Sequence, residues 1–469
     1  MRDMVLKGFH SLPPFLRSFI ASLRGEYLRA WRYGPKTDRL CDEALAREHW
    51  TSREWEKWQE ERLAVLLYRA EKHVPYYREH WAKRRGAGDR ASSEVLSNWP
   101  LLEKDTLREN PRAFVADDRS ISRMFHDHTS GTSGKPLDIW LSRETVQTWY
   151  ALFEARCRRW NGVSRHNRWA IIGGQLVAAA HQDAPPFWVW NAPLHQLYLS
   201  AYHLAPRHIA SYVDALDTYR VQYLVGYPSA IHTIARAVLE QQISPPRLKV
   251  VLVNAEPMLE NQRREIAEAF GCPVRETYGM AEIVAAASEC EHGTLHLWPD
   301  VGVLETVEIA RESDESQTRE FVCTGLLSMD MPLIRYRVGD CGQLDASGTT
   351  CECGRTLPAI RALDGRSDDI LYTIDGRAVG RLDPVFKSRL PISEAQIVQE
   401  TLDRIRVRYV AMEGFTSAHS EALADRIRER MGPVNVVLDE VNAIPRTANG
   451  KFRAVVCELS AEERKKVRL

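Results

Sequence analysis

Apolar residues at Leu63, Leu66, Leu67, Ala70 and Val74 recur at three- and four-residue intervals, the period of one helix face. They predict a long amphipathic helix running to about Pro75, where the missing amide ends it. Thr51-Ser52-Arg53-Glu54 just ahead has the form of a capping box. Trp50, Trp55, Trp58, Tyr76, Tyr77 and Trp81 surround this stretch and read most simply as packing between helices. Residues 1–100 are therefore expected to form a helical subdomain of a larger N-terminal domain.

From about residue 140 to 310 the pattern alternates. Ala170-Ile171-Ile172-Gly173-Gly174, Tyr223-Leu224-Val225-Gly226 and Leu248-Lys249-Val250-Val251-Leu252-Val253 read as buried strands. Between and after them, 205–219, 229–242 and 260–270 read as helices. Strands separated by helices of this length predict an α/β sheet. The polar run 311–319 is expected to be a hairpin tip between strands 303–309 and 320–324. Turn residues and charges crowd together at Asp364-Gly365-Arg366-Ser367-Asp368-Asp369, so a boundary is placed there. Residues 101–363 then complete the large domain, and 364–469 suffice for a small α+β domain.

Lys plus Arg equals Asp plus Glu at 63 each, which gives no reason to expect a nucleic-acid partner. With 44% hydrophobic and 27% charged residues, the composition is that of a globular protein. No stretch reaches the ~18 apolar residues of a membrane span. The segment from Phe15 to Arg24 is interrupted by Arg17 and follows Pro13-Pro14. It is read as packing on the main domain, with amphipathic contact to a membrane as the alternative. Nine cysteines scattered over the chain do not form a disulfide framework. The cytoplasm is the expected compartment, and the oligomeric state is open between monomer and homodimer.

Candidate chemistry begins at His128-Thr129-Ser130-Gly131-Thr132-Ser133-Gly134-Lys135-Pro136. Small, hydroxyl-bearing residues cannot build a core, and two glycines free the backbone. Hydroxyls, exposed amides and the Lys135 ammonium can surround an anion, so the loop reads as a phosphate cradle or, alternatively, as a surface turn. It is not a Walker A loop, which needs four residues between its glycines and Ser or Thr after the lysine.

This loop resembles the T-S-G-T-[ST]-G-x-P signature of adenylate-forming enzymes, and further motifs follow in that superfamily's order. They are Asn254-Ala255-Glu256-Pro257, Thr277-Tyr278-Gly279-Met280-Ala281-Glu282, Pro332-Leu333-Ile334-Arg335-Tyr336-Arg337-Val338-Gly339-Asp340, Gly365-Arg366-Ser367-Asp368-Asp369, and Pro445-Arg446-Thr447-Ala448-Asn449-Gly450-Lys451 with Arg453. The set is similar to the phenylacetate-CoA ligase and CapK-like branch over residues 45 to 460. The resemblance implies a large N-terminal adenylate-forming domain of mixed sheets and helices with a mobile C-terminal lid. It implies ATP and Mg²⁺ as requirements. Asn254 to Pro257 and Thr277 to Gly279 would meet the adenine, Glu282 would hold Mg²⁺, and Asp340 the ribose. Arg366 would reach phosphate or ribose oxygens, Asp368 would be the pivot, and Lys451 would bridge the acid and the α-phosphate.

Taken singly, Glu282 and Lys451 could be surface charges, and Asp340 a turn residue. Cys290, His296, Cys351 and Cys353 offer four N/S ligands suited to a closed, structural Zn²⁺, and the same branch carries a similar cluster. His292 is an alternative to His296, and reduced cysteines in a polar loop the bland reading. Gly226 to Ser229 with Trp188, Trp190, Tyr198 and Tyr202 line an acyl pocket or belong to the core. The expected reaction converts ATP and a carboxylic acid into an acyl-adenylate with release of pyrophosphate, then transfers the acyl group to CoA. Transfer to an amine or hydroxyl in polysaccharide or natural-product assembly, adenylyl transfer to an acceptor, and a non-catalytic nucleotide-binding scaffold are the competitors.

Overall fold

The computed structural model describes residues 8–128, 137–175, 177–179, 182–308, 319–345, 351–366, 371–374, 378–379, 390–446, 452–460 and 462–463. The N-terminal part is helical and includes Pro14–Arg32, Thr37–Arg47, Ser52–His73 and Pro75–Gly86. The capping box is formed. The Thr51 hydroxyl accepts from the Glu54 amide, and Glu54 accepts from the Thr51 amide at 2.7 Å. That pairing satisfies two amides that the first helical turn leaves open. The helix stops at His73 because Val74, ahead of a proline, is held extended.

A twelve-stranded sheet dominates the described residues. Its centre is parallel, in the order Val274–Gly279, Val250–Val253, Tyr223–Gly226, Trp169–Gly173, Gln196–Ser200. Two of these strands feed helices Pro228–Glu240 and Glu260–Phe270. Strand side chains alternate between faces, and the cores follow. Tyr223, Val225, Val250 and Leu252 join the cluster that holds the N-terminal aromatics. Leu224, Val251 and Val253 join the one under helices Ile209–Thr218, Pro228–Glu240 and Glu260–Phe270. Burial on both faces explains why these strands read as unbroken apolar runs.

Beyond Val274–Gly279 the sheet turns antiparallel, through Ala286–Glu289, Leu295–Leu297, Ala359–Arg366, Tyr336–Leu344, Arg319–Gly325 and Gly302–Val307. A separate four-stranded sheet contains Asn435–Glu440, Arg404–Ala411, Ile392–Thr401 and Val455–Cys457. Helix Ser417–Met431 covers it, burying Leu423, Ile427 and Met431 against Ile397, Ile405 and Val407. The fold class is the expected α/β, with an α+β C-terminal portion.

One local expectation needs correction. Asp364, Gly365 and Arg366 are not in a turn but end strand Ala359–Arg366, with Arg366 in register with Asp340. Turn-forming residue types were overridden by the antiparallel partner, as tertiary pairing commonly overrides propensity. The predicted phosphate loop 129–136, the hairpin tip 311–318, Asp368 with its neighbours 367–370, and Lys451 lie outside the described residues.

Candidate active site

The C-terminal ends of the parallel strands open into one cavity of about 1890 Å³. This is the place where open α/β sheets bind ligands, because the loops there are free of sheet pairing. Gly173, Gly226 and Gly279 end three different strands, Asn254 directly follows a fourth, and all four residues line it. At Gly226 the reason for glycine is close approach: a Cβ would come within 2.2 Å of the Ile172 carbonyl oxygen.

The cavity brings together most of the predicted nucleotide residues that are described. Asn254, Ala255, Glu256 and Pro257 line it along one side, and Thr277, Tyr278, Gly279, Glu282 and Asp340 along another. The Tyr278 hydroxyl donates to Asp340 Oδ2 at 2.9 Å, across 62 residues of sequence. Asp340 is a strand residue, not a turn residue; Gly339 before it takes φ 79°. Thr277 ties its strand to the next by donating to the Val253 carbonyl at 3.0 Å. Ala255 has φ 66° and Ile283, beside Glu282, φ 52°. Left-handed backbone at a β-branched residue is a costly conformation that clusters at functional sites.

Glu282 is buried, and its Oε1 accepts from the Tyr336 hydroxyl at 3.0 Å and from Lys104 Nζ at 3.2 Å. A buried carboxylate needs a nearby positive charge, and Lys104 supplies one. The hard oxygen of Glu282 also suits Mg²⁺, which takes few protein ligands. Lys104 was not among the sequence candidates. It reaches the site because Leu102 forms a bridge with Tyr336, the Leu102 amide donating to the Arg335 carbonyl at 2.9 Å. A lysine two residues past an extended segment carries no signal of that pairing.

Glu256 joins the two parts of the chain. Oε2 accepts from the Ser229 amide at 3.1 Å, in the first turn of helix Pro228–Glu240, and Oε1 accepts from the Phe452 amide at 2.7 Å. Phe452, which lines the cavity, directly follows Lys451 in the sequence. Burial raises the Glu256 pKa, with the Phe452 and Ser229 hydrogen bonds opposing. Of the acyl-pocket candidates, Gly226, Tyr227, Ser229 and Tyr198 line the cavity, with Trp149 and Tyr150 beside them. Trp188 and Trp190 pack on the second core instead, and the Tyr202 hydroxyl donates to the Gly174 carbonyl at 3.0 Å.

Cys290, His296, Cys351 and Cys353 converge, their ligand atoms all within 4.8 Å of one another. Cys290 and Cys351 sulfurs are 3.7 Å apart, and Cys353 Sγ is 3.3 Å from His296 Nε2. A zinc tetrahedron with Zn–S bonds of about 2.3 Å has edges near these lengths. His296 Nδ1 is 3.1 Å from the Leu357 carbonyl, the partner that turns Nε2 toward a metal. Burial holds the His296 pKa below its ordinary value, which keeps the ring neutral. His292 is instead 3.2 Å from Glu352. The cluster lies beside the pairing Leu295↔Ile360 and His296↔Ala359, at the start of the strand that pairs with Asp340.

Residues 58–307 match the AMP-binding enzyme family and 371–458 the CapK C-terminal domain. The chain belongs to the AMP-binding enzyme family and is an adenylate-forming ligase. Within that superfamily it falls in the branch of CapK and the phenylacetate-CoA ligases. It is 25% identical to protein CapK of Staphylococcus aureus, covering 96% of this chain and 98% of CapK. It is 26% identical to phenylacetate-coenzyme A ligase of Thermus thermophilus, over 85% of this chain and 95% of that enzyme. Among solved structures, 2-hydroxyisobutyryl-CoA ligase in the postadenylation state shares the fold, with TM-score 0.64 and 22% identity over 90% of this chain and 93% of that one.

Proposed function

We propose that the protein activates a carboxylic acid with ATP through an acyl-adenylate and passes the acyl group to CoA. The observation that carries this reading is the meeting of Tyr278, Asp340 and Glu282 at one cavity, with the segment after Lys451 held there by Glu256. In this reading the acid's carboxylate attacks the α-phosphorus, and the bond to pyrophosphate breaks. Two anions approach each other, so the site must present positive charge and oriented donors where charge accumulates. Loop 129–136 and Lys135 cradle the outer phosphates, Asp340 accepts from the ribose hydroxyls, and Tyr278 sits beside the base. Glu282 is the Mg²⁺ ligand, and the metal supplies charge neutralisation on the phosphates. Lys451 bridges carboxylate and α-phosphate, Arg366 reaches the phosphate or ribose, and residues 364–469 act as a lid pivoting at Asp368.

Carboxylate-dependent exchange of labelled pyrophosphate into ATP tests the first half. An aryl, aliphatic and amino acid panel should yield at least one active acid, and Lys451→Ala should reduce exchange ~10²–10³-fold. ATP binding without exchange for any acid would leave only a scaffold. A second reading has its own support, since the C-terminal match is to the CapK domain and CapK aligns over nearly the whole chain. There the acceptor is an amine or hydroxyl. Mass spectrometry of products with CoA supplied or withheld separates the two, and a stable AMP-containing product would point to adenylyl transfer.

A further inference from the structure

Helix Pro14–Arg32 is amphipathic the wrong way round for a packed surface helix over most of its length. Its last turn buries Trp31 in the main core, but ahead of that the side facing the protein is largely polar or small. Arg17 is buried and donates to Gln182 Oε1 at 3.2 Å. The Ser18 hydroxyl accepts from the Trp190 amide at 3.2 Å, and the Ser22 hydroxyl from the Ala192 amide at 3.1 Å. Gly25 touches Asn191, where a Cβ would fall 1.8 Å from Oδ1. These contacts fix the helix's rotation and so force its apolar side outward. Phe15, Phe19, Leu23 and Tyr27, four residues apart, are 70%, 59%, 59% and 54% exposed, with Ile20 beside them.

Hydrophobic burial alone would turn this helix over. At 100° per residue, Arg24 and Arg29 fall on opposite edges of the apolar arc. Glu26, the acid on that arc, is paired with Arg29. Residues 8–40 hold six Lys and Arg against two Asp and Glu, in a chain whose charges balance overall.

We propose that this helix seats the protein on an anionic lipid surface, lying in the plane of the interface with Phe15, Phe19, Leu23 and Tyr27 in the acyl boundary and the arginines among the headgroups. An apolar arc between basic rims is the pattern of an interfacial helix. No helix among the described residues is long and apolar enough to cross a membrane, and this mode needs none. Arg24 and Leu28 also line the large cavity, so an amphipathic acid or acceptor could enter it from the bilayer. That consequence rests on the proposed function; vesicle binding does not.

Co-sedimentation of the full chain with phosphatidylcholine vesicles, with and without phosphatidylglycerol, tests the seat. The protein should pellet with the anionic vesicles and be released by salt. Phe15→Ser/Phe19→Ser/Leu23→Ser should weaken partitioning by about tenfold or more without shifting thermal unfolding, since all three side chains are exposed. If that variant fails to fold, Leu23→Glu serves in its place. Wild-type protein that stays in solution, or variants that bind as well as wild type, would overturn the proposal. So would a dimer broken by the same variants with no vesicle binding, because a second copy would then cover this face.

Discussion

Lys104 shows how one side chain can matter without any local signature. It is the ammonium beside the buried Glu282 carboxylate, and truncation leaves that charge without its cation. Lys104→Met should cost roughly 1–3 kcal/mol, the penalty for an unsatisfied buried group, read as a lower unfolding midpoint in EDTA. If Glu282 holds Mg²⁺, the divalent ion should restore much of that loss, and Glu282→Gln/Lys104→Met should be insensitive to the metal. An unfolding midpoint equal to wild type in EDTA would mean the pair contributes nothing. Glu282, Tyr278 and Asp340 were legible in the sequence because each sits in a motif of fixed order. Lys104 was not, since its contact depends on Leu102 bridging to Tyr336, 234 positions away.

At the level of elements, the antiparallel arm is held to the N-terminal helices by residues that directly follow the Cys/His cluster in the chain. Arg355, between Cys353 and Thr356, pairs with the buried Glu48 at 3.1 Å and lies 4.2 Å over the Trp160 ring. The Thr356 amide donates to the Glu48 carbonyl at 2.9 Å. Loss of a ligand should therefore loosen both the strand register near Asp340 and the packing of helix Thr37–Arg47. We expect the purified protein to contain about one equivalent of zinc, and Cys351→Ser to lower both zinc content and the unfolding midpoint. Metal analysis and a thermal melt check this; a zinc-free wild type of unchanged stability would make the cluster three reduced cysteines beside a histidine. The sequence put His296 in the ligand set and left His292 as its alternative. The Leu357 carbonyl and the burial of His296 decided between them, and neither is visible without the fold.

For the whole molecule, Glu256 is the described link between the cavity wall and the segment that follows Lys451. Glu256→Ala should free that segment and lower pyrophosphate exchange by about tenfold, the effect of one charge-assisted contact. The pH dependence has a definite sign. Burial raises the Glu256 pKa when the parts are closed, so the closed arrangement holds its proton more tightly than an open one. Its contribution to closure is then full below the ordinary carboxylate range and declines as pH rises through the raised value. Fluorescence transfer between labels on the two sheets should show closure favoured on acidification, and Glu256→Gln should remove that trend; the opposite slope would exclude Glu256 as the titrating latch.

Periodicity and motif order determined the α/β class, the helical start, the capped helix Ser52–His73 and a set of motif residues that line one cavity, because each depends on neighbours in the chain. Tertiary structure alone decided that Arg366 pairs in register with Asp340, that Lys104 neutralises Glu282, and that helix Pro14–Arg32 turns its aromatic side outward. Those are contacts between distant segments, set by sheet register and by which face finds hydrogen-bond partners, and no local pattern encodes them.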